Sequence, residues 1–212
     1  MNKHTWKIYG LWILLSEAVG GLSGWLTRDG AKIYSQSIVQ PPLSPPPLVF
    51  PIVWAILFAL MGIGAARVFL APASAARTRG LRLFFVQLGF NFLWSILFFC
   101  LQAFGFALIW LVALWVLILW MLFTFLQVDR VAGFLQIPYL LWVTFAAYLN
   151  LGVWIHNGTP TPFSSKPGSS KAAPGLFLHL RSFFLSHAKF KIKFRLLVIL
   201  FYLQHTYQAF IC

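Results

Sequence analysis

The stretch FGFALIWLVALWVLILWMLFTFLQ at residues 104–127 carries no charged side chain, and it decides the class of fold to which this chain belongs. A helix of about 20 predominantly apolar residues crosses a hydrocarbon core of about 30 Å, so the stretch is long enough to span a membrane. The apolar stretch before it ends at about residue 102, so the turn between the two falls within residues 102–105, and Asp129 and Arg130 follow the quoted stretch. The sequence predicts a transmembrane helix here, in a tight hairpin with its predecessor.

Four more stretches have the length and apolarity of membrane spans, at about 7–27, 47–71, 81–102 and 131–155. Of the 212 residues, 60% are hydrophobic and 9% are charged, whereas soluble domains carry roughly 25% charged residues. The first stretch holds Glu17 and lacks a clear small-residue cleavage site, which favours a retained span over a signal peptide. We predict an all-α integral membrane protein in which residues 1–157 form a five-transmembrane-helix bundle.

Charge is distributed as in a membrane protein rather than a nucleic-acid-binding one. Sixteen Lys and Arg against three acids give a net charge of +13, but the basic residues flank the apolar stretches. The sequence has neither zinc-finger spacing nor a basic recognition helix, so nucleic acid is not predicted as a partner. The loops with an excess of Lys and Arg are expected to face the cytoplasm, which puts the N-terminus on that side.

From Gly158 onward the composition changes, and residues 158–212 are predicted to be a basic C-terminal extension that is poorly ordered or atypical. Three interpretations compete for it. Alternating basic and apolar residues at 189–195 suit an interfacial anchor, and residues 196–210 resemble a short sixth span. We favour the third, an addition outside the evolved fold such as an out-of-frame extension, because nothing in it matches the pattern upstream.

A proline-rich loop lies between the first two predicted spans, with Pro41, Pro42, Pro45 and Pro46 at its centre. Each proline lacks an amide donor and restricts φ, so no helix can run through the loop, and its order costs little entropy. The loop is expected either to fold over the mouth of the bundle as a lid or to serve only as a rigid connector.

Glu17 is the one acidic residue within a predicted span. A charge in the hydrocarbon is costly and normally faces a partner or a cavity, so Glu17 is a candidate functional residue. The alternative is a structural role, as a protonated group or an arginine-paired helix contact. One turn on, Gly20 and Gly24 have the spacing that lets helices approach closely, and we expect them to pack within the bundle.

Polar and aromatic residues share one face of the third predicted span and one face of the fifth. In the third span these residues are Gln87, Asn91 and Trp94, and in the fifth they are Trp142, Ala146 and Asn150. Neighbours in each set are three or four positions apart. Amide and indole groups at membrane depth need hydrogen-bond partners, so both faces are expected to point inward. If the two faces lie opposite each other, they enclose a pocket with aromatic walls and amide anchors. The alternative is that these residues only form contacts between helices.

Several short motifs occur in order between residues 8 and 157. They are PPLSPP at 41–46, FPIVW at 50–54, MGIG at 61–64, QLGFNFLW at 87–94, PYLLW at 138–142 and LN at 149–150. This combination resembles the translocator protein family, also called tryptophan-rich sensory proteins or peripheral-type benzodiazepine receptors. The resemblance implies five transmembrane helices, a ligand pocket roofed by the first loop, and frequent homodimers. It also implies binding of porphyrins, sterols and synthetic isoquinoline or benzodiazepine ligands.

The resemblance assigns roles to individual residues. Trp54 and Trp142 match pocket tryptophans that bacterial members use in porphyrin binding and in its light-dependent breakdown, so they are the candidate catalytic residues if there is an activity. Asn91 and Trp94 match pocket residues of the third helix. Ala146 matches a small residue of the fifth helix that affects ligand handling in the family.

Two positions depart from the animal members of this family. Phe106 stands where they have Trp, which keeps an aromatic ligand contact but removes an N–H donor. Their cholesterol motif needs a Tyr followed closely by Lys or Arg, whereas Leu151 and Ile155 follow Tyr148 here. The departure argues against cholesterol recognition and favours a bacterial plasma-membrane protein over a mitochondrial one.

The predicted function is the binding of porphyrins and related hydrophobic ligands such as sterols, for sensing, transport or light-dependent degradation. No histidine lies within a predicted span, so a porphyrin is expected to be held by stacking, as a ligand and not as a metal-ligated cofactor. No metal site and no phosphate-binding loop is predicted. The alternative is a small proton-coupled exporter of lipophilic compounds that uses Glu17 as a shared proton and substrate site.

Overall fold

The computed structural model describes residues 3–158, and every structural statement below refers to them. Six α-helices follow one another: α1 Lys3–Ser37, α2 Val49–Leu70, α3 Ala75–Ser95, α4 Phe104–Val128, α5 Arg130–Phe134 and α6 Ile137–Asn157. A π-helical segment, Ile96–Cys100, continues α3 towards α4. The predicted C-terminal extension lies outside the described residues, apart from its first residue.

Four helical stretches of the described part are long and apolar enough to cross a membrane. They are Val49–Leu70, Ala75–Cys100, Phe104–Val128 and Arg130–Asn157, which correspond to the second to fifth predicted spans. The prediction of an all-helical membrane bundle is confirmed. Within the last of these stretches, the one-turn helix α5 comes first and α6 forms the rest.

The first helix differs from its prediction. Its apolar stretch was predicted to end near residue 27, but α1 runs on through Arg28, Asp29 and Lys32 to Ser37. Charged residues end an apolar stretch but do not interrupt a helix. Prolines, through which a helix does not continue, begin only at Pro41. At 35 residues and 1.5 Å per residue, α1 is about 52 Å long and exceeds the thickness of a hydrocarbon core.

Helix α4 is apolar on all sides because it has two different apolar neighbours. Its inner face packs in the core with residues spaced by three and four, namely Leu111, Leu114, Ile118, Met121 and Phe125. Its outer face is exposed with the same spacing at Ile109, Val112, Val116, Trp120 and Phe123. In water the outer face would be a large apolar patch, but lipid tails solvate it without cost.

Close approach of α1 to α2 depends on glycine. A Cβ atom at Gly62 would lie 2.6 Å from the Cα of Ile13 and 2.8 Å from the carbonyl oxygen of Trp12. Gly20 packs against the ring of Phe58, as its motif predicts, whereas a Cβ at Gly24 would meet no atom within 4 Å. The motif therefore packs at one glycine and leaves open space at the other.

A bidentate ion pair joins the end of α2 to the corner between α4 and α5. The Arg67 guanidinium donates from Nε to Asp129 Oδ1 at 3.0 Å and from Nη2 to Oδ2 at 2.8 Å. Asp129 also caps α5 by accepting the backbone N–H of Ala132 at 2.8 Å. The hydrogen bonds from Arg67 hold the pKa of the Asp129 carboxyl below its ordinary value.

Replacing Gly62 by Ala is expected to destabilise the bundle by about 1–3 kcal/mol, because the new methyl group meets backbone atoms that cannot rotate away. The measurement is the thermal unfolding midpoint in detergent. Gly21→Ala is the matched control, since a Cβ atom there would meet nothing within 4 Å. Equal midpoints for the two variants would contradict the close packing of α1 on α2.

Candidate ligand cavity

A cavity of about 690 Å³ lies within the described bundle. Its walls come from α1, α2, α3, the π-helical segment and α6, and the proline-rich loop adds Pro45 and Pro47. Aromatic rings dominate these walls, among them Phe50, Trp54, Phe58, Trp94, Phe98 and Trp142. Volume and lining are those of a site for a small, largely hydrophobic molecule.

Six of the seven residues predicted to contact a ligand line this cavity. They are Glu17, Trp54, Asn91, Trp94, Trp142 and Ala146. Phe106 is the exception: it is 53% exposed on α4, and its ring lies 6.2 Å from that of Trp110. The buried neighbours Gly105 and Ala107 take the inward positions of that turn, which directs Phe106 outward. The structure therefore does not bring Phe106 to the cavity.

A hydrogen-bonded chain crosses from α3 to α6 beside the cavity. Asn91 Nδ2 donates to the hydroxyl of Tyr139 at 2.9 Å, and that hydroxyl donates to Gln87 Oε1 at 2.9 Å. Tyr139 is fully buried, with its ring 6.2 Å from that of Trp54. Sequence reasoning missed Tyr139 as a site residue, although it precedes Trp142 by three positions on the same face of α6.

A second pair of hydrogen bonds joins α6 to α3 and to the start of α4. Trp94 Nε1 donates to Asn150 Oδ1 at 3.3 Å, and Asn150 Nδ2 donates to the carbonyl oxygen of Phe104 at 2.8 Å. The polar faces of the third and fifth predicted spans therefore join helices and line the cavity at once. Enclosing a pocket and joining helices were given above as alternatives for these faces, and the two do not exclude each other.

Two polar groups in the cavity wall have no partner among the described residues. Buried side-chain atoms without a hydrogen bond in the described part of the chain are Ser23 Oγ, Gln136 Oε1 and Trp142 Nε1. Of the three residues, Ser23 and Trp142 line the cavity. An unpaired buried donor costs free energy, roughly 1–3 kcal/mol, and a ligand with an acceptor atom would remove that cost.

The proline-rich loop is attached to α6 at three points. Asn157 makes two hydrogen bonds to the backbone of Val39, at 3.0 Å to its N–H and 2.9 Å to its carbonyl oxygen. The hydroxyl of Tyr148 donates to the carbonyl oxygen of Pro42 at 2.9 Å. Pro41 packs so closely on Gly152 that a Cβ there would lie 2.4 Å from its ring. Of the four prolines predicted to form a lid, Pro45 itself lines the cavity.

The chain is an all-helical membrane bundle whose aromatic, largely apolar cavity is bordered by a proline-rich loop and has the composition usual for small-molecule sites. A sequence model of the TspO/MBR family matches residues 12–155. This chain belongs to that family, and it is a membrane protein.

Curated relatives include proteins of bacteria and animals. The tryptophan-rich protein TspO of Chlorobaculum tepidum is 37% identical over 72% of this chain and 97% of its own length. Protein CrtK of Rhodobacter capsulatus is 35% identical over 69% of this chain and 91% of its own. The translocator protein of Bos taurus is 31% identical over 68% of this chain and 86% of its own.

Asn157→Ala is expected to loosen the loop, because it removes both side-chain hydrogen bonds to Val39. Hydrogen exchange of the backbone amides in residues 38–48, followed by mass spectrometry, should accelerate roughly tenfold, as for the loss of one to two hydrogen bonds. His156→Ala is the control, since that ring bonds only within its own helix, to the carbonyl oxygen of Gly152. Unchanged exchange in Asn157→Ala would show that other contacts hold the loop.

Proposed function

We propose that this protein binds porphyrins and related flat hydrophobic molecules in the cavity, and that it acts as a sensor or transporter of them. One observation carries the proposal: the N–H of Trp142 is buried in the wall of an aromatic cavity and has no partner among the described residues. A flat ring system could stack on Trp54 and Trp142, and a ligand acceptor atom could take the free N–H.

The polar anchors of this binding mode lie on α3 and α6, with one on α1. Asn91 was predicted to anchor the ligand; one of its two amide N–H groups donates to Tyr139, and the residue lines the cavity. Trp142 Nε1 and Ser23 Oγ are buried without a partner among the described residues, and no hydrogen bond of the described residues occupies the side-chain oxygen of Asn91. We therefore propose that Asn91 holds the wall in place through Tyr139 and offers its side-chain oxygen to a ligand, with Trp142 as a second polar contact.

Two relatives carry names that mention sensing and translocation, and we extend these roles to this chain as part of the proposal. A relative from Cereibacter sphaeroides, 36% identical over 52% of this chain, is named tryptophan-rich sensory protein, and the bovine one translocator protein. The higher identities to the Chlorobaculum and Rhodobacter relatives favour a bacterial plasma membrane as the location. Sterol binding and a homodimer stay predictions from the family resemblance.

The bundle is proposed to have five spans, with α1 as the first. Gly62 and Gly20 bring α1 against α2, which is itself apolar enough to cross the membrane, and this contact supports a position of α1 beside it at the same depth. Glu17 faces the cavity instead of lipid, which makes one acid in a span tolerable. The excess of basic residues on the side of the N-terminus and the loop between α2 and α3 favours a cytoplasmic N-terminus.

Labelling of single cysteines tests the five-span arrangement. In a background with Cys100→Ala and Cys212→Ala, we expect Lys3→Cys and Gln36→Cys to react with a membrane-impermeant maleimide from opposite sides of the membrane. Ala73→Cys, in the loop after α2, should react from the side of Lys3→Cys and not from the side of Gln36→Cys. Reaction of Lys3→Cys and Gln36→Cys from the same side would exclude α1 as a span.

Glu17 supports a second candidate function, a proton-coupled exporter of lipophilic compounds. Its carboxylate lines the cavity, and it makes no ion pair with another described residue, since the two ion pairs there join Arg28 to Asp29 and Arg67 to Asp129. A single acid in a hydrophobic cavity could alternate between a proton and a cationic substrate. The aromatic walls and the Trp142 donor favour the porphyrin site over it.

Replacing Trp54 and Trp142 together by Phe is expected to weaken protoporphyrin IX binding about tenfold, because stacking area and the free N–H are both lost. Quenching of the remaining tryptophan fluorescence in detergent, corrected for inner-filter loss, measures the affinity. Trp120→Phe is the control, since Trp120 is 54% exposed on the outer face of α4. Binding that survives in the double variant but is lost in Glu17→Gln would favour the exporter.

The same double variant addresses an enzymatic role. If Trp54 or Trp142 is a redox partner of a light-excited porphyrin, illumination should consume bound porphyrin in the wild type and spare it in the double variant. Comparison is made at porphyrin concentrations that saturate each protein, so that weaker binding does not mimic slower breakdown. Equal rates of loss in both proteins would mean that these tryptophans do not serve the breakdown.

A further inference from the structure

One face of α1 forms a continuous wall of the cavity and carries charges of opposite sign at its two ends. Glu17 lies at one end, Gly21 and Gly24 follow at its middle, and Arg28 and Lys32 lie at the other end. Arg28 follows Glu17 by eleven positions in the sequence, which corresponds to about 16 Å along the helix axis. That length is comparable with a large flat ring system.

The two cations are available for a ligand. Arg28 makes a long ion pair of 3.7 Å with Asp29, whose side chain is 87% exposed, and lies 5.9 Å from the ring of Trp25. Lys32 is in no ion pair with another described residue. Asp29 does not line the cavity, so Glu17 is the one acid among the lining residues.

The middle of the α1 wall has open space beside it for the apolar part of a ligand. A Cβ atom at Gly21 or Gly24 would meet no protein atom within 4 Å, so the helix backbone itself borders open space there. Trp54 and Trp142 are aromatic residues of the cavity wall contributed by α2 and α6. Between the two glycines, Ser23 is 5% exposed, and its Oγ has no partner among the described residues.

We infer that the cavity selects flat amphiphiles that carry carboxylate groups, and that it binds them in one orientation, with the carboxylates at Arg28 and Lys32 and the ring system beside Gly21 and Gly24. The inference rests on the proposed function and specifies its ligand. Glu17 favours this orientation, because in its ionised form it would repel a ligand carboxylate placed at its own end of the wall.

The experiment compares protoporphyrin IX, a dicarboxylic acid, with its neutral dimethyl ester, which has the same ring system. Binding is measured at neutral pH in nanodiscs of phosphatidylcholine, with empty nanodiscs subtracted because the ester partitions into lipid. The variant is Arg28→Gln/Lys32→Gln. The matched control is Arg79→Gln/Arg82→Gln, which removes two exposed cations near the start of α3, outside the cavity.

The wild type and the Arg79→Gln/Arg82→Gln control are expected to bind the diacid about tenfold more tightly than the ester, the size of partly exposed charge-assisted contacts. Arg28→Gln/Lys32→Gln should lose this preference and keep the ester affinity, which also shows that the variant is folded. Glu17→Gln should bind the diacid at least as tightly as the wild type. Gly24→Leu should block both ligands by filling the open space beside α1.

The outcomes separate the inference from the proposed function. Saturable binding of both compounds with equal affinity in the wild type would overturn the inference and leave the porphyrin site standing. A preference for the diacid that persists in Arg28→Gln/Lys32→Gln, or weaker diacid binding in Glu17→Gln, would overturn the assigned orientation. Absence of saturable binding of either compound to the wild type would overturn the inference together with the proposed function.

Discussion

A polar side chain buried at membrane depth must find its hydrogen-bond partner inside the protein, because the hydrocarbon offers none. Tyr139 meets this constraint by accepting from Asn91 and donating to Gln87, and Asn150 meets it by bonding Trp94 and the backbone of Phe104. Each contact joins α6 to α3 or α4. The side of the cavity formed by these helices is therefore held by polar contacts whose loss would leave buried groups unpaired.

Helix α1 is held differently. Close backbone contact at Gly62 and the fit of Gly30 against the backbone of Phe99 attach it to α2 and to the π-helical segment. Between these contacts Gly21 and Gly24 border open space, and the charges of the helix lie along the cavity. The polar network makes one wall rigid and specific, whereas α1 contributes room and charge. The proposed ligand contacts follow from this division, since the charges along the cavity are those that the network leaves unused.

Much of this arrangement could be predicted from the sequence. Length and apolarity place the second to fifth spans, and spacing by three and four residues brings Asn91, Trp94, Trp142 and Ala146 to one cavity. Tyr139 lies within the same spacing, but its role depends on the hydroxyl meeting α3, which no pattern within α6 indicates. Phe106 could not be placed correctly, because α4 is apolar on both faces and no periodicity distinguishes lipid from core.

The sequence by itself determined that the chain is a helical membrane protein, where its second to fifth spans lie, and which polar residues turn inward, since hydrocarbon enforces helices and forbids unpaired polar groups. Only the tertiary structure decided which of these polar groups pair with each other and which stay free. Asn91 is engaged by Tyr139, whereas Trp142 and Ser23 have no partner in the described bundle. Partner choice depends on distances between helices remote in sequence, and no local pattern encodes those distances.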